Sequence, residues 1–513
     1  MPLLGKIIKR AIDLGGHIAE ESKTPEELQS EVLNMLLERA KHTAFGKYYQ
    51  FESLLENNTI VDAFRKAVPA FDYHRMHDAW WFKTVEGEKD VTWPGIPEYF
   101  ALSSGTTGDK SKRIPVTEEM IEAIRETGLK QILSLSEHDL PDSFFEKQIL
   151  MLGSSTDLEE VNGHYEGEIS GISASNIPFW FKGYYKPGEE IASIDDWDER
   201  VLAIAKEAPN WDIGAISGIP SWIELMLQKV VEHNQAESIH DIWPNLMVYN
   251  SGGVAFEPYR ASFDALTSKP MLYLDTYLAS EGFMAFQSRP NEQMAMQLSL
   301  SSGIYFEFVP FKEEYFDENG SPIPDAPALS LGEVKEGDEY AMLISTVSGT
   351  WRYSIGDTIK FTSLEHAEIK ITGRTKHFLN VVGSQLSVAK MSEAIQELEA
   401  SFGIQIPEFT VGAVKRDGDF YHQWFLGLSD DSKADQSKVQ EKLDEVLKSK
   451  NKNYKVARSK ALKGIEVQLI KAQDFHDWNA ENKKKGGQVK TPRMMDEESL
   501  KAFESFLNSK EPA

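Results

Sequence analysis

The apolar positions of residues 147–350 follow a repeating order, in which short apolar runs alternate with stretches of helical spacing. A short apolar run between polar or turn-forming residues is typical of a strand buried on both faces. The predicted strands are 148–153, 246–249, 271–274 and 341–345, and one helix between them has a face made of Ile223, Met226, Leu227, Val230 and Val231. This alternation predicts an α/β fold whose sheets are covered by helices.

Residues 1 to about 90 have helical spacing without intervening apolar runs. Thr24 stands directly before Pro25, and this pair predicts a helix with a threonine cap and a proline in its first turn. The apolar residues that follow at helical spacing are Leu33, Leu36, Leu37 and Ala40. Thr117 is predicted to cap a second helix, which begins soon after Pro115.

The pattern changes near residue 373 to that of a smaller α+β unit. Asp417-Gly418 lies between two apolar runs, which is a strong hairpin signal. A helix face formed by Met391, Ile395, Leu398 and Phe402 precedes the hairpin, and one formed by Val439, Leu443, Val446 and Leu447 follows it. Residues 465–470 are predicted to form the final strand. We therefore expect domains at 1–372 and 381–513, joined by a hinge at 373–380.

The segment 103–112 combines hydroxyl side chains, two glycines and two lysines directly after an apolar run. Glycines let backbone N–H groups approach a ligand, and the hydroxyls and lysines add donors and positive charge. These properties favour a cradle for an anion such as phosphate. The segment is not a Walker A loop, because Asp109 follows Gly108 where that loop requires lysine. A flexible surface loop of serine, glycine and threonine is the alternative interpretation.

Composition and charge limit the possible partners of the 513-residue chain. Its length requires more than one domain, and the absence of cysteine excludes disulfides, thiolate ligands and a cysteine nucleophile. A net charge of -27 repels nucleic acid and anionic membranes, so neither is expected as a partner. It also repels nucleotides, so a phosphate site must be locally basic or contain Mg²⁺. Residues 1–10 are predicted to form an amphipathic helix rather than a signal or membrane span, and the protein is expected to be cytoplasmic.

Three further segments carry polar groups suited to a nucleotide site. Ser280 and Glu281 follow a predicted strand, and the carboxylate suits Mg²⁺; a helix start capped by Ser280 is the alternative. Asp357 ends an apolar segment and suits the hydroxyls of a ribose, although an aspartate in a Gly-Asp turn is the simpler interpretation. Arg374 precedes the expected second domain, where an arginine could contact a nucleotide.

In this order, these segments resemble the adenylate-forming superfamily of acyl-CoA synthetases and luciferases, and most closely its GH3 branch of acyl-acid amido synthetases. Residues 103–112 are similar to the family's phosphate-binding motif, 248–253 to its adenine-contacting loop and 488–493 to its C-terminal lysine motif. Tyr277 to Glu281 resembles Tyr-x-Ser-Ser-Glu, with Ala279 in place of the first serine. Residues 353–357 resemble Tyr-Arg-Val-Gly-Asp, but Ser354 stands where arginine is usual, and Arg352 is not a clean substitute.

The resemblance implies that ATP and Mg²⁺ activate a carboxylic acid as an acyl-adenylate, and that an amino acid or other amine then takes the acyl group. The implied catalytic residues are Lys490, Lys112 and Glu281, of which Glu281 holds Mg²⁺. The implied nucleotide-binding residues are Ser103, Ser104, Gly105, Thr106, Thr107, Ser251, Gly252, Gly253, Tyr277, Ser280, Asp357 and Arg374. The C-terminal domain is then the mobile part that brings Lys490 to the nucleotide. Lysines 483–485, Lys490 and Arg493 form a basic cluster in an acidic chain, for which a solvated lysine loop is the alternative.

Aromatic segments near residues 179 and 219 are the only candidates for the pocket of the acyl acid. Its predicted lining is Phe179, Trp180, Ile219 and Trp222, with ordinary core packing as the alternative. Two other functions use the same motifs: an acyl-CoA ligase, and a nucleotide-binding or acyl-binding protein without turnover. The sequence specifies neither the acid and the amine nor the oligomeric state.

Overall fold

A computed structural model gives the fold of the chain. It describes residues 23–57, 59–103, 112–177, 181–253, 256, 259–291, 293–317, 320–375, 378–379, 386–416, 419–429, 432–460, 462–482, 491–495 and 497–510. Among these residues, we find no helix with the length and apolar character needed to cross a membrane. The chain divides into two compact units. The first comprises residues 1–256, 262–371 and 486–488, and the second comprises 257–261, 372–485 and 489–513.

The helices of the first unit are α1 (Pro25–Ala40), α2 (Ala44–Tyr48), α3 (Phe51–Leu55), α4 (Ile60–Ala67), α5 (Tyr73–Met76), α6 (Phe82–Val85), α7 (Glu118–Ser134), α8 (Ile169–Ser175), α9 (Glu189–Ala192), α10 (Trp197–Glu207) and α11 (Pro220–His233). Helix α12 (Arg260–Leu266) begins in the second unit and ends in the first.

Helix α1 begins with Thr24 as its cap and Pro25 in its first turn, as the sequence predicts, and Glu27 completes a capping box. The Thr24 side chain accepts a hydrogen bond from the backbone N–H of Glu27, and the Glu27 carboxylate accepts one from the N–H of Thr24 at 2.7 Å. Both groups would otherwise be unsatisfied donors of the first turn. Thr117 caps α7 in the same manner, accepting from Met120. Leu33, Leu36, Leu37 and Ala40 of α1 are fully buried, which confirms the predicted helical face.

The strands from Tyr99 to Arg374 form a small and a large sheet. They are β1 (Tyr99–Ser103), β2 (Lys112–Val116), β3 (Gln148–Leu152), β4 (Glu159–Val161), β5 (His164–Gly167), β6 (Tyr185–Lys186), β7 (Ile213–Gly218), β8 (Val248–Gly252), β9 (Leu272–Ala279), β10 (Gly282–Phe286), β11 (Met296–Leu298), β12 (Ile304–Pro310), β13 (Glu339–Thr346), β14 (Thr350–Ser363) and β15 (Glu368–Arg374). The small sheet has the order β2-β1-β5-β4, and the large one has the order β12-β13-β14-β15-β11-β10-β9-β8-β7-β3-β6.

The large sheet confirms the predicted α/β class and adds an antiparallel half. Strands β6, β3, β7, β8 and β9 pair in parallel, with helices in the connections between β6, β7, β8 and β9. From β9 to β11 and from β12 to β14 the pairs are antiparallel. The predicted strands are present with shifted ends, because turns rather than apolar content decide where a strand stops. Helix α11 buries four of the five predicted residues, Ile223, Met226, Leu227 and Val230.

The second unit has its own sheet and its own core. Its strands are β16 (Phe378–Leu379), β17 (Leu386–Ser387), β18 (Glu408–Arg416), β19 (Asp419–Leu428), β20 (Leu462–Lys471) and β21 (Met494–Met495), and its further helices are α13 (Val388–Phe402), α14 (Gln436–Lys450), α15 (Lys452–Lys460), α16 (Ala472–Asn482) and α17 (Glu497–Lys510). Strands β18 and β19 pair up to Arg416 and Asp419, on either side of the predicted turn. Their sheet has the order β20-β19-β18-β21.

The prediction that residues 465–470 form the last strand is wrong. That strand is β20, and β21 follows it and pairs in parallel with β18. A strand of two residues is too short to show an alternation of apolar and polar positions. The helix after β21 was detectable, however, because Leu500, Phe503 and Leu507 recur at helical spacing and are buried.

We expect acid to destabilise the second unit through His422, which is completely buried on β19. Burial, aided by the charge of Arg458, lowers the pKa of His422 to about 3, although Asp444 opposes the shift. The unfolded chain takes up a proton near pH 6.5, whereas the folded chain does not, so stability falls as the pH drops below 6.5. Between pH 6.5 and 5 the loss is about 1–2 kcal/mol from this residue.

Calorimetric unfolding of the full chain between pH 7.5 and 5 measures this loss. His138, His240 and His476 also have pKa values lowered by burial and add to the wild-type slope. The variant His422→Asn isolates one contribution, because asparagine has no charge to gain. It should lose less stability on acidification than the wild type. Equal losses in both proteins would show that His422 does not titrate on unfolding.

Candidate active site

The two ends of the predicted phosphate loop are paired across a hairpin. Ser103 ends β1, Lys112 begins β2, and the two residues are direct partners in the antiparallel ladder. Residues 104–111 lie outside the described residues, and with them Ser104, Gly105, Thr106 and Thr107. The described flanks therefore bring the hydroxyl-bearing end and the lysine end of this segment together.

Lys112 is held against an aromatic ring at the start of β2. Its Nζ lies 5.3 Å from the centroid of the Tyr73 ring, within the range of a cation–π contact. The Tyr73 hydroxyl accepts a hydrogen bond of 3.0 Å from the backbone N–H of Arg113. Nothing in the sequence links Tyr73 to the motif, because it lies about thirty residues before Ser103 and belongs to α5.

Arg113 connects the same hairpin to the adjacent strand β5. Its Nε donates to Glu166 at 2.6 Å, and His164 Nε2 lies 2.9 Å from the same carboxylate oxygen. Glu166 is buried, which by itself would raise its pKa, but the hydrogen bonds from Arg113 and His164 lower that pKa. The base of the loop is thus fixed by an ionised glutamate that sequence spacing alone did not reveal.

The predicted adenine-contacting residues lie at the carboxyl end of β8. Ser251 and Gly252 are part of the strand, rather than of the loop that follows it, and Gly253 is the first residue beyond it. The Ser251 carbonyl accepts a hydrogen bond from the Thr276 hydroxyl at 2.8 Å, which ties β8 to β9. Gly253 has φ +84°, a value that favours glycine.

Ser280 and Glu281 form the tight turn between β9 and β10. Ala279 and Gly282 are paired on either side of them, so the alternative of a helix capped by Ser280 is wrong. Glu281 is buried to nine-tenths. Its carboxylate therefore lies at the carboxyl end of a strand from the parallel half of the sheet, where α/β folds place ligands.

The hydroxyl of Tyr277 donates a hydrogen bond to the Asp357 carboxylate, and both residues are buried. Strands β9 and β14 have three strands between them in the sheet order. On a flat sheet, four spacings of about 4.8 Å would separate them by about 19 Å. The contact therefore requires the sheet to curl, which brings two of the predicted motifs together.

Asp357 lies in a bulge of β14. Ala341 pairs with Thr358 and Leu343 pairs with Ser354, so three residues of β14 face one residue of β13. Gly356 lies in the bulge with φ +85°, which a side chain at this position would oppose. Gly356 therefore allows the backbone conformation of the bulge, and Asp357 provides the carboxylate that contacts Tyr277.

Arg352 is engaged elsewhere, as expected for a residue that does not replace the arginine missing at Ser354. Its Nε donates to the buried Glu307 at 2.9 Å, and its Nη1 donates to the carbonyl of Val68 at 2.6 Å and to that of Arg65 at 3.0 Å. These bonds join β14 to β12 and to the end of α4. Arg352 therefore stabilises the first unit.

The described part of the predicted acyl-acid pocket is tightly packed. Trp222 is only 3% exposed and its ring meets that of Trp197 edge to face, with centroids 4.8 Å apart. Ile219 directly precedes α11 and is buried. Phe179 and Trp180 lie outside the described residues. The described residues thus have the packing of an ordinary core between α10 and α11, which is the alternative interpretation of this segment.

Two predicted site residues belong to the second unit. Arg374 is exposed and ends β15, whereas Lys490 lies outside the described residues, as do Lys483, Lys484 and Lys485. Arg493 is paired with Glu408 at 2.9 Å. It therefore belongs to an ion pair rather than to a free basic cluster.

Within the described ranges, we find no group of three or more His, Asp or Glu side chains suited to a metal ion. Mg²⁺ in nucleotide sites is commonly held by one or two carboxylates together with the phosphates of the substrate. Glu281 at its turn fits that mode of binding, because a single protein carboxylate suffices when ATP supplies the other oxygens.

Three family models match the chain in succession. They are described as the GH3 family N-terminal domain (residues 16–205), central domain (297–374) and C-terminal domain (389–499). Among curated relatives, the indole-3-acetic acid-amido synthetase GH3.4 of Arabidopsis thaliana is 22% identical, over 96% of this chain and 92% of its own. For GH3.2 of the same plant, the match is 23% identical and covers 41% of this chain and 40% of that protein. Jasmonoyl-L-amino acid synthetase JAR6 of Nicotiana attenuata is 21% identical over 70% and 71%.

Solved structures show the same fold. The GH3.15 acyl acid amido synthetase aligns with a TM-score of 0.78 and 17% identity, over 97% of this chain and 96% of that one. A 2-hydroxyisobutyryl-CoA ligase in the postadenylation state, in complex with 2-HIB-AMP, aligns with a TM-score of 0.58 and 11% identity over 94% and 92%.

Proposed function

The chain belongs to the GH3 family, and from this premise we propose that it is an ATP-dependent acyl-acid amido synthetase. It joins a carboxylic acid to the amine of an amino acid. The observation that carries the proposal is the hydrogen bond between Tyr277 and Asp357, which brings two of the predicted nucleotide-binding motifs, eighty residues apart, into direct contact. Glu281 follows Tyr277 at the end of the same strand.

The reaction has two steps. A carboxylate oxygen attacks the α-phosphorus of ATP, the bond from this phosphorus to the bridging oxygen breaks, and pyrophosphate leaves. The amine nitrogen then attacks the acyl carbon of the acyl-adenylate, its C–O bond breaks, AMP leaves and the amine loses a proton. Both steps need stabilisation of developing negative charge more than a protein nucleophile, which suits a chain without cysteine.

The residues of the site divide between sugar, base and phosphates. Asp357 accepts hydrogen bonds from the ribose, and Tyr277 lies beside the base. The adenine is bordered by Ser251, Gly252 and Gly253, and the phosphates are held by Ser103, Ser104, Gly105, Thr106, Thr107, Lys112 and Ser280. Arg374 contacts ribose or phosphate, and Lys490 approaches the α-phosphate from a mobile domain at 381–513, which a hinge at 373–380 joins to residues 1–372.

Glu281 would hold the Mg²⁺ that accompanies ATP. The ion supplies charge neutralisation for the phosphates when bound. The buried position of Glu281 in a two-residue turn fixes where its carboxylate lies, and this is the contribution of the chain itself. We place the acyl acid near Phe179, Trp180, Ile219 and Trp222. We expect neither nucleic acid nor membrane as a partner, and we propose the cytoplasm as the location.

A panel of carboxylic acids, scored by pyrophosphate release and crossed with the twenty amino acids and with CoA, tests the proposal. Mass analysis of the products should find an amide for at least one pair of acid and amino acid. A CoA thioester without any amide would instead assign an acyl-CoA ligase. ATP binding without acid-dependent pyrophosphate release would assign a binding protein.

A further inference from the structure

The segment that directly follows Lys490 is fastened to β18 through its backbone. The Thr410 hydroxyl donates to the carbonyl of Pro492 at 2.7 Å, and the backbone N–H of Val411 donates to the carbonyl of Arg493 at 3.1 Å. Met494 then pairs in parallel with Val411 as the first residue of β21. The chain is thus held at three successive residues, beginning two positions after Lys490.

The side chain of Arg493 fixes the same segment a second time. Its Nη1 donates to Glu408 Oε2 at 2.9 Å and to the carbonyl of Phe409 at 3.3 Å, and its guanidinium lies 4.5 Å from the centre of the Phe409 ring. The hydroxyl of Tyr259, which belongs to the same unit, donates to the other oxygen of Glu408. Glu408 is 3% exposed, so this ion pair is shielded from water and from salt.

A third contact reaches the residue adjacent to Lys490. Asn479, near the end of α16, is buried, and its Nδ2 donates to the Thr491 hydroxyl at 3.1 Å. Backbone, ion pair and amide therefore act on Thr491, Pro492 and Arg493 from two elements, β18 and α16. Such convergence is more than a two-residue strand requires for its pairing.

We propose that Glu408 and Arg493 are positioning residues that fix the backbone of residues 491–493, which directly follow Lys490 in the chain, an inference that rests on the proposed function. A lysine carries a compact charge on a flexible stem, so its placement depends on the backbone that bears it. Misplacement of a catalytic group by about 1 Å can cost as much as a hundredfold in rate. The buried pair thus acts on adenylation through Lys490 and does not contact the substrate.

The test compares the two half-reactions in Arg493→Met and Arg493→Lys. Methionine keeps the apolar contact with Phe409 and removes the ion pair, and lysine restores the charge without the planar fork. We expect acid-dependent pyrophosphate release by Arg493→Met to fall roughly tenfold in kcat, with the KM for ATP little changed. Amide formation from a supplied acyl-adenylate should stay near the wild-type rate, and Arg493→Lys should recover part of the loss.

Arg416→Met is the matched control, because Arg416 lies on β18, the strand of Glu408, and pairs with Glu466 at 2.9 Å at the surface. It should leave both half-reactions unchanged. The rate of tryptic cleavage after Lys490, with the fragments identified by mass, is a readout that does not depend on catalysis. It should rise several-fold in Arg493→Met, because a segment that is held less firmly unfolds locally more often.

Wild-type adenylation in a folded Arg493→Met variant would overturn the inference, and so would an equal fall in both half-reactions, which a merely structural role predicts. If Arg493→Met does not fold, Glu408→Gln decides by the same two criteria, since it keeps the shape of the pair. A wild-type protein that releases no pyrophosphate with any acid overturns the proposed function instead, and unchanged tryptic cleavage would still count separately against the positioning role.

Discussion

Replacing Lys490 with alanine is expected to lower the rate of adenylation by a hundredfold or more while the fold persists. A preorganised donor that meets the charge of a phosphoryl transition state contributes ~3 kcal/mol, and water entering the site replaces it poorly. Acid-dependent pyrophosphate release measures this step. Because Lys490 acts on the phosphate, amide formation from a supplied acyl-adenylate should be affected much less.

Lys463→Ala is the matched control, since Lys463 is an exposed lysine of the same unit. Among the described residues, its only ion pair is with Asp419, at 3.6 Å. It should release pyrophosphate at the wild-type rate. If Lys490→Ala also did so, with thermal unfolding unchanged, the cation that closes over the α-phosphate would have to be another residue.

Replacing Asp357 with asparagine is expected to raise the KM for ATP by tenfold to about a hundredfold. The amide keeps the size of the side chain, and its oxygen still accepts the hydrogen bond of Tyr277, but the negative charge is lost. A hydrogen bond to a charged group contributes about 1.5–3 kcal/mol, which corresponds to this range of affinity. Steady-state kinetics with ATP as the varied substrate measure the change.

Tyr277→Phe serves as the control for this variant. It removes the hydroxyl that contacts Asp357, but it leaves the aromatic ring at residue 277 and the carboxylate of Asp357 in place. Its effect on the KM for ATP should be smaller, because the charged acceptor remains for the ribose. An unchanged KM in Asp357→Asn would exclude Asp357 from nucleotide binding and reduce its role to that of a partner for Tyr277.

Much of the fold could be predicted because local signals agree with it. Thr24 and Thr117 are caps that need only their nearest neighbours, and the buried face of α11 follows from spacing alone. The antiparallel half of the large sheet was harder to foresee, since its strands are buried like the parallel ones. Strand β21 was missed because two residues carry no pattern.

The residues of the candidate site could be predicted from motifs, but the contacts between them could not. Sequence placed Tyr277 and Asp357 in one nucleotide site, yet their hydrogen bond depends on the curl of the entire sheet. The sequence groups Arg493 with the basic cluster and does not show its ion pair, because its partner, Glu408, lies 85 residues away. Nothing in the sequence indicates a role for Glu166, since that role depends on the pairing of β1 with β5.

The bond between Tyr277 and Asp357 also ties two distant strands across the inside of a curled sheet. A displacement at the turn after β9 can reach the bulge in β14 through this one bond, without passing through the three strands between them. In the proposed synthetase, the binding of the base and the binding of the ribose would then be coupled rather than independent. A nucleotide fragment that contains only the base or only the ribose would lack this coupling, so the affinities of the two fragments would not account for that of the intact nucleotide.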